Sequence, residues 1–264
     1  MNRSVRSAFA AVVPPLLFGA ALLGLWEWAV KAFDIQPYFL VPPSQIADRF
    51  GANINLIWSA VQVTGGNALI GLLLGTIFGV AVAFLLLAFR VLDEIVSPLS
   101  VALNAVPIFV LVSVFNNMFP ITSEVSRRLM VTLVVYFVVL VNVARGLREV
   151  KPVHLELMQS YAAGRSQMLR LVRVPNAVPF LFTALKIASP LAVITAYVSE
   201  YFGGSQNGLG SKITSNMATA KKAEGWAYIA AACLLGLTFY VSAIILERLI
   251  TPGGAANRQR EQPV

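Results

Sequence analysis

The sequence predicts an all-α integral membrane protein, and three observations indicate this fold class. First, 58% of the 264 residues are apolar and only 12% are charged, which is about half the charged fraction of a soluble domain. Second, the apolar residues form long runs that suit membrane-spanning helices, rather than the short alternating segments of an outer-membrane barrel. Third, polar residues are concentrated between these runs. Such a chain cannot cover a water-facing surface.

Six runs are long enough to predict transmembrane helices. These spans are Val12–Phe33, Val63–Phe89, Ile95–Phe115, Leu129–Ala144, Ala177–Phe202 and Trp226–Ile250. The first run contains two prolines and is not followed by a clear small-residue cleavage site, so we interpret it as a retained span rather than a signal peptide. We expect a cytoplasmic segment at 1–11, a transmembrane domain at 12–251 and a disordered tail at 252–264.

The basic residues predict the orientation of the spans. If both termini lie inside, twelve of the twenty basic residues are cytoplasmic, seven are external and Lys186 lies within a span. Cytoplasmic loops of membrane proteins are enriched in Lys and Arg, so we expect the N-terminus and the C-terminus inside. The net charge of +8 is explained in this way without a nucleic-acid partner.

Glycine and proline residues predict the shape and packing of two spans. Gly71, Gly75 and Gly79 are spaced four residues apart in the second span, a pattern that allows close packing of helices. Pro98 and Pro107 are expected to bend the third span, because proline interrupts the hydrogen bonds of a helix.

The two longer external segments predict short helices. Asp34–Ile57 contains three prolines, followed by a helix for which Ser44 is the expected N-cap. Residues 203–225 begin with a glycine-rich turn and continue as a polar stretch, which predicts a short surface helix.

The residue types present exclude several classes of function. Cys233 is the only cysteine and His154 the only histidine, so neither a disulfide nor a Cys/His metal cluster is available. The sequence contains no G-x-x-x-x-G-K-[ST] motif and therefore no phosphate-binding loop of that kind. No nucleophile and base occur in a recognisable pattern, so we expect a non-catalytic subunit.

A polar segment at 145–175 interrupts the apolar sequence. It predicts two short helices, 153–161 and 166–174, joined by the small residues Ala162-Ala163-Gly164 and ended by Pro175. The result would be a bent helical elbow (residues 153–175) at the cytoplasmic face. An alternative is an interfacial helix that lies on anionic lipid, for which its arginines are suited.

The elbow resembles the EAA loop of binding-protein-dependent ABC importer permeases. That loop reads Glu-Ala-Ala, three residues, Gly, nine residues, Ile, one residue, Leu-Pro. Glu156 and Pro175 match this pattern, and Val172 and Val174 replace its aliphatic residues conservatively. The two alanines do not match, and the position of the family's glycine is Ala162 in this chain.

Other segments extend the resemblance to nearly the whole chain. Residues 39–44, FLVPPS, are similar to a Leu-Pro-Ser-Pro-Ser stretch in nitrate, sulfonate and taurine importer permeases. Residues 185–188, LKIA, and 198–200, VSE, look like the fifth span of the same subfamily, and the glycines at 203–204 and 208–210 look like its following loop.

This resemblance implies a permease subunit in the bacterial inner membrane that works with several partners. They would be a dimer of ABC ATPase subunits, a second permease copy, an external substrate-binding protein and membrane lipid. ATP and Mg would be bound by the ATPase, with no cofactor on this chain. The residues expected to dock on the ATPase are Glu156, Gln159, Ala162, Ala163, Gly164, Arg165 and Pro175.

Polar residues in the spans are candidates for the translocation pathway. They are Asn104, Ser113, Asn116, Asn142, Tyr197 and Glu200. Intramembrane amides also commonly join helices, and this alternative stays open. Lys186 and Glu200 lie fourteen residues apart, roughly 21 Å along a helix, so they cannot pair with each other. They are either functional charges or parts of structural ion pairs.

The subfamily transports small anions such as nitrate, sulfonates and taurine, and also pyrimidine or flavin-type compounds, and the sequence does not choose among them. Two other functions compete with the permease. An ion-coupled secondary carrier commonly has inverted repeats and coupling-ion sites near the midplane, whereas we find no repeat. A non-transporting membrane scaffold would not need the elbow.

Overall fold

The computed structural model describes residues 3–120, 123–203 and 207–251, with side chains from Val13 onward except those of residues 101, 103 and 104. The regular secondary structure within these ranges is helical. The helices are α1 (Arg3–Ala32), α2 (Pro43–Ala52), α3 (Ile54–Ala88), α4 (Arg90–Asn104), α5 (Ile108–Met118), α6 (Val125–Arg148), α7 (Pro152–Ser160), α8 (Arg165–Met168), α9 (Val174–Phe202), α10 (Leu209–Ala218) and α11 (Lys222–Ile250), with a π-helical turn at Leu169–Arg173 before α9. The predicted tail at 252–264 lies outside the described residues.

Within the described ranges, five helical segments are long and apolar enough to cross a membrane. They correspond to the first, second, fourth, fifth and sixth predicted spans. The fourth is longer than predicted, because α6 extends beyond Leu129–Ala144 at both ends. The all-helical fold class and the membrane-spanning character are therefore confirmed.

The predicted third span is not one helix. The segment divides into α4, which ends at Asn104, and α5, which begins at Ile108. Pro107 explains the break, because proline has no N–H to donate and disfavours helical geometry in the preceding residue. The proline was predicted to bend this span, and it ends the helix instead. With eleven residues, α5 alone is shorter than a membrane span.

The centre of the molecule is formed by α3, α6 and α9. Gly71, Gly75 and Gly79 allow α3 to lie directly on α6, as their spacing predicted. A Cβ atom on Gly75 would lie 2.7 Å from Cβ of Val135, and one on Gly79 would lie 2.8 Å from Cβ of Val139. Both distances are too short for real side chains, so glycine is required for this approach.

The two short helices predicted outside the spans differ from their prediction. Ser44 is not the N-cap of α2, because α2 begins at Pro43. Instead, the Ser44 backbone N–H and hydroxyl donate to the Glu27 carboxylate of α1 over 3.0 and 2.8 Å. The second helix, α10, is not a surface helix, since it buries Leu209 and Ile213 against α11.

The elbow continues into the fifth span without a break. The prediction that its second helix ends by Pro175 is wrong, because Val174 keeps helical dihedral angles (φ −65°, ψ −50°) directly before the proline. The π-helical turn Leu169–Arg173 precedes this site. Such a turn bonds residue i to residue i+5 and is wider than an α-helical turn, so the ring and the missing N–H of proline are accommodated there.

Candidate functional site

The first helix of the elbow, α7, stands apart from the rest of the chain. It buries none of its residues. Val153, Leu157 and Tyr161 lie four residues apart, on one face of a helix, and are 60%, 53% and 77% exposed. Glu156 and Gln159, two of the predicted docking residues, are exposed on the same helix. An exposed apolar row of this kind is typical of a surface that binds another protein.

The turn after α7 has a left-handed residue at Ala162, where φ is 49°. This is the position of the family's glycine, and glycine adopts such a conformation without steric cost, whereas alanine pays about 1–2 kcal/mol. Gly164 follows in extended conformation, and its backbone N–H donates to Oε1 of Gln167 over 2.9 Å. The small side chains at 162–164 therefore form a tight turn whose surface is open to a partner, and Arg165 begins α8 beside it, also exposed.

The end of the elbow is attached to the end of α6 by two side chains. The Asn176 amide donates to the carbonyl oxygens of Gly146 and Glu149 over 2.7 and 3.1 Å. The Arg173 guanidinium donates to the carbonyl oxygen of Leu147 over 3.2 Å. Asn176 was not among the predicted site residues, although an asparagine directly after Pro175 at the start of an apolar run was a usable signal.

A second polar junction lies at the opposite end of α9. The carboxyl group of Glu200 is fully buried and accepts from Thr64 Oγ1 of α3 over 2.8 Å and from the backbone N–H of Gly210 over 3.1 Å. Thr64 also accepts from the Leu209 N–H over 2.8 Å. A Cβ atom on Gly208 would collide with the Glu200 carboxyl group. Glu200 thus joins α3, α9 and α10.

The two charges of α9 have separate partners. Lys186 pairs with Glu247 of α11, with 2.8 Å between Nζ and Oε2. Glu200 lies in the junction with Thr64, so the prediction that the two charges cannot pair with each other is confirmed. Lys186 therefore joins α9 to α11, as expected of a structural ion pair.

A cavity of about 890 Å³ lies between α9, α10 and α11. Tyr197, Tyr201 and Tyr240 line it together with apolar side chains, among them Val193 and Leu237. Its described lining residues include no charged side chain. Its volume is within the usual range of ligand-binding cavities, and Tyr197 is one of the predicted pathway residues.

The other predicted pathway residues do not gather at this cavity. The Ser113 hydroxyl donates to the Phe109 carbonyl oxygen of α5, and the Asn142 amide donates to the Val138 carbonyl oxygen of α6. Asn116 accepts from Ser126 of α6 over 2.6 Å. Asn116 and Asn142 are half-buried, and Ser113 is exposed. The side chain of Asn104 lies outside the described part of the chain. Within one copy, these residues occupy separate positions along α5, α6 and α9.

Comparisons with known proteins agree with this architecture. Residues 71–253 match the family model of the binding-protein-dependent transport system inner membrane component. The chain is 31% identical over 242 residues to the formylaminopyrimidine transport permease protein ThiX of Halalkalibacterium halodurans, which covers 90% of this chain and 94% of that protein. It is 28% identical over 231 residues to the riboflavin transport system permease protein RibX of Chloroflexus aurantiacus, covering 87% and 85% of the two chains.

A third relative transports a different kind of compound. The taurine transport system permease protein TauC of Escherichia coli is 25% identical over 244 residues, which cover 88% of this chain and 86% of that protein. The family match covers well over half of the 264 residues and includes the elbow, the last three of the five long apolar segments and the second half of α3. This chain belongs to the family of inner membrane components of binding-protein-dependent transport systems, and it is a multi-pass ABC transporter permease.

Proposed function

We propose that this chain forms the translocation pathway of an ABC importer and is coupled to a separate ATPase through its elbow. The observation that carries the proposal is the exposed apolar row of α7, which no other described helix covers. A groove on an ATPase would cover this row, and the small turn at Ala163 would allow the partner to approach closely. Glu156 is placed to make a charge-assisted hydrogen bond with that partner.

The proposed assembly contains two permease copies, two ATPases and an external binding protein. ATP and Mg would be held by the ATPases, which drive the elbows together when they close on ATP. In this arrangement both termini lie inside, and the pair α4 and α5 supplies the sixth crossing. Arg145, Arg148 and Lys151 beside the elbow support this orientation, since cytoplasmic segments are enriched in basic residues.

The docking role is tested by adding bulk and charge at the turn. In an Ala163→Arg variant, we expect loss of co-purification with the ATPase and loss of uptake, with normal insertion into the membrane. Ala163→Ser is the matched control, because it keeps the side chain small and should retain both properties. Normal uptake and normal co-purification of the arginine variant would show that the elbow does not dock in this way.

We further propose a ring-containing substrate, of the pyrimidine or flavin type, rather than a small anion. The cavity beside Tyr197 supports this choice, because it is large, lined by three tyrosines and has no charge among its described lining residues. Aromatic side chains stack on planar rings, whereas an anion without a paired charge is costly to transfer into an apolar site. The relatives ThiX and RibX are named for the transport of ring-containing compounds, formylaminopyrimidine and riboflavin.

The substrate is tested by uptake into vesicles that contain the full complex and its binding protein. We expect uptake of formylaminopyrimidine or riboflavin, and a large reduction when Tyr197→Ala removes one aromatic side chain of the cavity. Uptake of taurine without uptake of either ring compound would favour the small-anion alternative.

A further inference from the structure

The cytoplasmic end of α6 has all of its terminal carbonyl groups satisfied. The last four carbonyls of a helix, here those of residues 145–148, have no partner within it. The Glu149 N–H donates to the Arg145 carbonyl oxygen over 2.8 Å, and the Val150 N–H donates to the Arg148 carbonyl oxygen over 2.9 Å. The side chains of Asn176 and Arg173 donate to the two remaining carbonyl oxygens, those of Gly146 and Leu147. Half of this helix end is therefore completed by side chains that belong to the next span.

The two helices are also in direct contact at this point. A Cβ atom on Gly146 would lie 2.8 Å from Cβ of Phe180, and Phe180 is one turn beyond Asn176 on the same face of α9. Leu147 is fully buried. Hydrogen bonds and close packing therefore act together, and α6 and α9 cannot separate here without exposing both carbonyls and apolar surface.

The end of α6 also contacts a third helix, α4. The Arg148 guanidinium lies 2.8 Å from the Asp93 carboxylate of α4. The hydroxyl of Ser97, also on α4, donates to the same carboxylate over 2.7 Å. The end of α6 thus contacts α4 through a side chain and α9 through its backbone.

We propose that Asn176, supported by Arg173, is a positioning residue that makes α6 and α9 move as one body when the elbow is displaced. This inference rests on the proposed function, in which the elbow receives the movement of the ATPase. Helices α7 and α8 of the elbow lie in the segment 149–173, which joins α6 to α9. Asn176 is in the first turn of α9 and bonds Gly146 and Glu149 at the end of α6, so it ties the two ends of this segment together. A displacement of α7 and α8 is therefore passed to two spans together.

The chemistry of the two residues suits this task. Asn176 carries two N–H donors on one short, neutral side chain, and it bonds two carbonyl groups that lie three residues apart. A carboxylate in its place would face carbonyl oxygens and repel them. Arg173 places a positive charge at the C-terminus of α6, where the helix dipole favours it.

The test compares Asn176→Ala with Thr183→Val in the full transporter with its ATPase and binding protein. Thr183 is also on α9, but its hydroxyl bonds only Pro179 of the same helix, so it controls for the loss of one hydrogen bond. For Asn176→Ala we expect normal co-purification with the ATPase, ATP hydrolysis close to wild type and uptake reduced roughly tenfold. The ATP consumed per substrate transported therefore rises, whereas Thr183→Val keeps the wild-type ratio.

Amide hydrogen exchange separates transmission from simple helix capping. If Asn176→Ala speeds amide exchange at residues 146–150 but leaves the ratio of ATP to substrate unchanged, the inference is overturned. Asn176 would then only cap the end of α6. If Asn176→Ala does not fold, Arg173→Met decides: a raised ratio supports the inference and a wild-type ratio refutes it. A wild-type protein that fails to bind the ATPase would instead refute the proposed function.

Discussion

Replacing Thr64 by valine should destabilise the fold more than its size suggests. Valine has nearly the same shape, so the packing of this fully buried side chain is kept. The hydroxyl, however, donates to the Glu200 carboxyl group and accepts from the Leu209 N–H. In the variant the Leu209 N–H loses the acceptor that Thr64 provided. The Glu200 carboxyl group loses the Thr64 hydroxyl as a donor and keeps the Gly210 N–H.

The magnitude follows from the cost of these losses. A buried donor without an acceptor costs about 1–3 kcal/mol, and the loss of the hydrogen bond to the Glu200 carboxyl group costs about 0.5–1.5 kcal/mol. Allowing for partial relaxation, we expect Thr64→Val to lower the free energy of unfolding by about 2–4 kcal/mol. For a chain of this size, that loss lowers Tm by roughly 4–16 °C, measurable by thermal unfolding in detergent.

Thr76→Val is the matched control for this experiment. Thr76 lies on the same helix, and its hydroxyl donates only to the Leu72 carbonyl of that helix over 2.6 Å. Its replacement should shift Tm by no more than a few degrees. If Thr64→Val unfolds at the same temperature as Thr76→Val, the junction around Glu200 does not stabilise the protein as the geometry indicates.

Three further experiments test other contacts. Lys186→Met should destabilise the protein by about 1.5–3 kcal/mol in thermal unfolding, and Glu247→Leu added to it should recover most of this loss, since no charge is then left unpaired; additive losses would contradict the pairing. Gly75→Ala should cost about 1–3 kcal/mol by overpacking, whereas Gly66→Ala, whose Cβ atom would meet nothing within 4 Å, should leave Tm unchanged or raise it. Ala162→Gly should relieve about 1 kcal/mol of strain and slow amide exchange in the turn about fivefold; unchanged exchange would show that the left-handed residue carries no strain.

Regular features of single segments were predictable from the sequence. Five of the six spans predicted from hydropathy coincide with long helical segments of the described residues, because a run of apolar residues has few other structures available in a bilayer. The spacing of Gly71, Gly75 and Gly79 predicted the contact of α3, since it depends on one helix face. The elbow was predictable as a polar segment with Pro152 at its start.

Features that depend on distant partners were not predictable. Glu200 is bonded to Thr64, which lies 136 residues away, and Lys186 is paired with Glu247, which lies 61 residues away. No local pattern encodes such pairs. Pro175 shows a different limit, since the rule that proline ends a helix is statistical, and a π-helical turn before it changed the outcome.

The partners of the two charges on α9 also affect how the chain is made. An ionised residue at the centre of an inserting helix costs about 2.5–3.5 kcal/mol, and Lys186 lies near the middle of α9, whereas Glu200 lies close to its end. Thr64 is synthesised before Glu200, so α3 is already in the membrane when α9 arrives, and it can offer its hydroxyl to the carboxyl group. Lys186 must wait for Glu247, which is made with the last helix. A nascent chain that stops after α9 therefore contains a lysine without its partner carboxylate, and synthesis of α11 supplies that partner to α9.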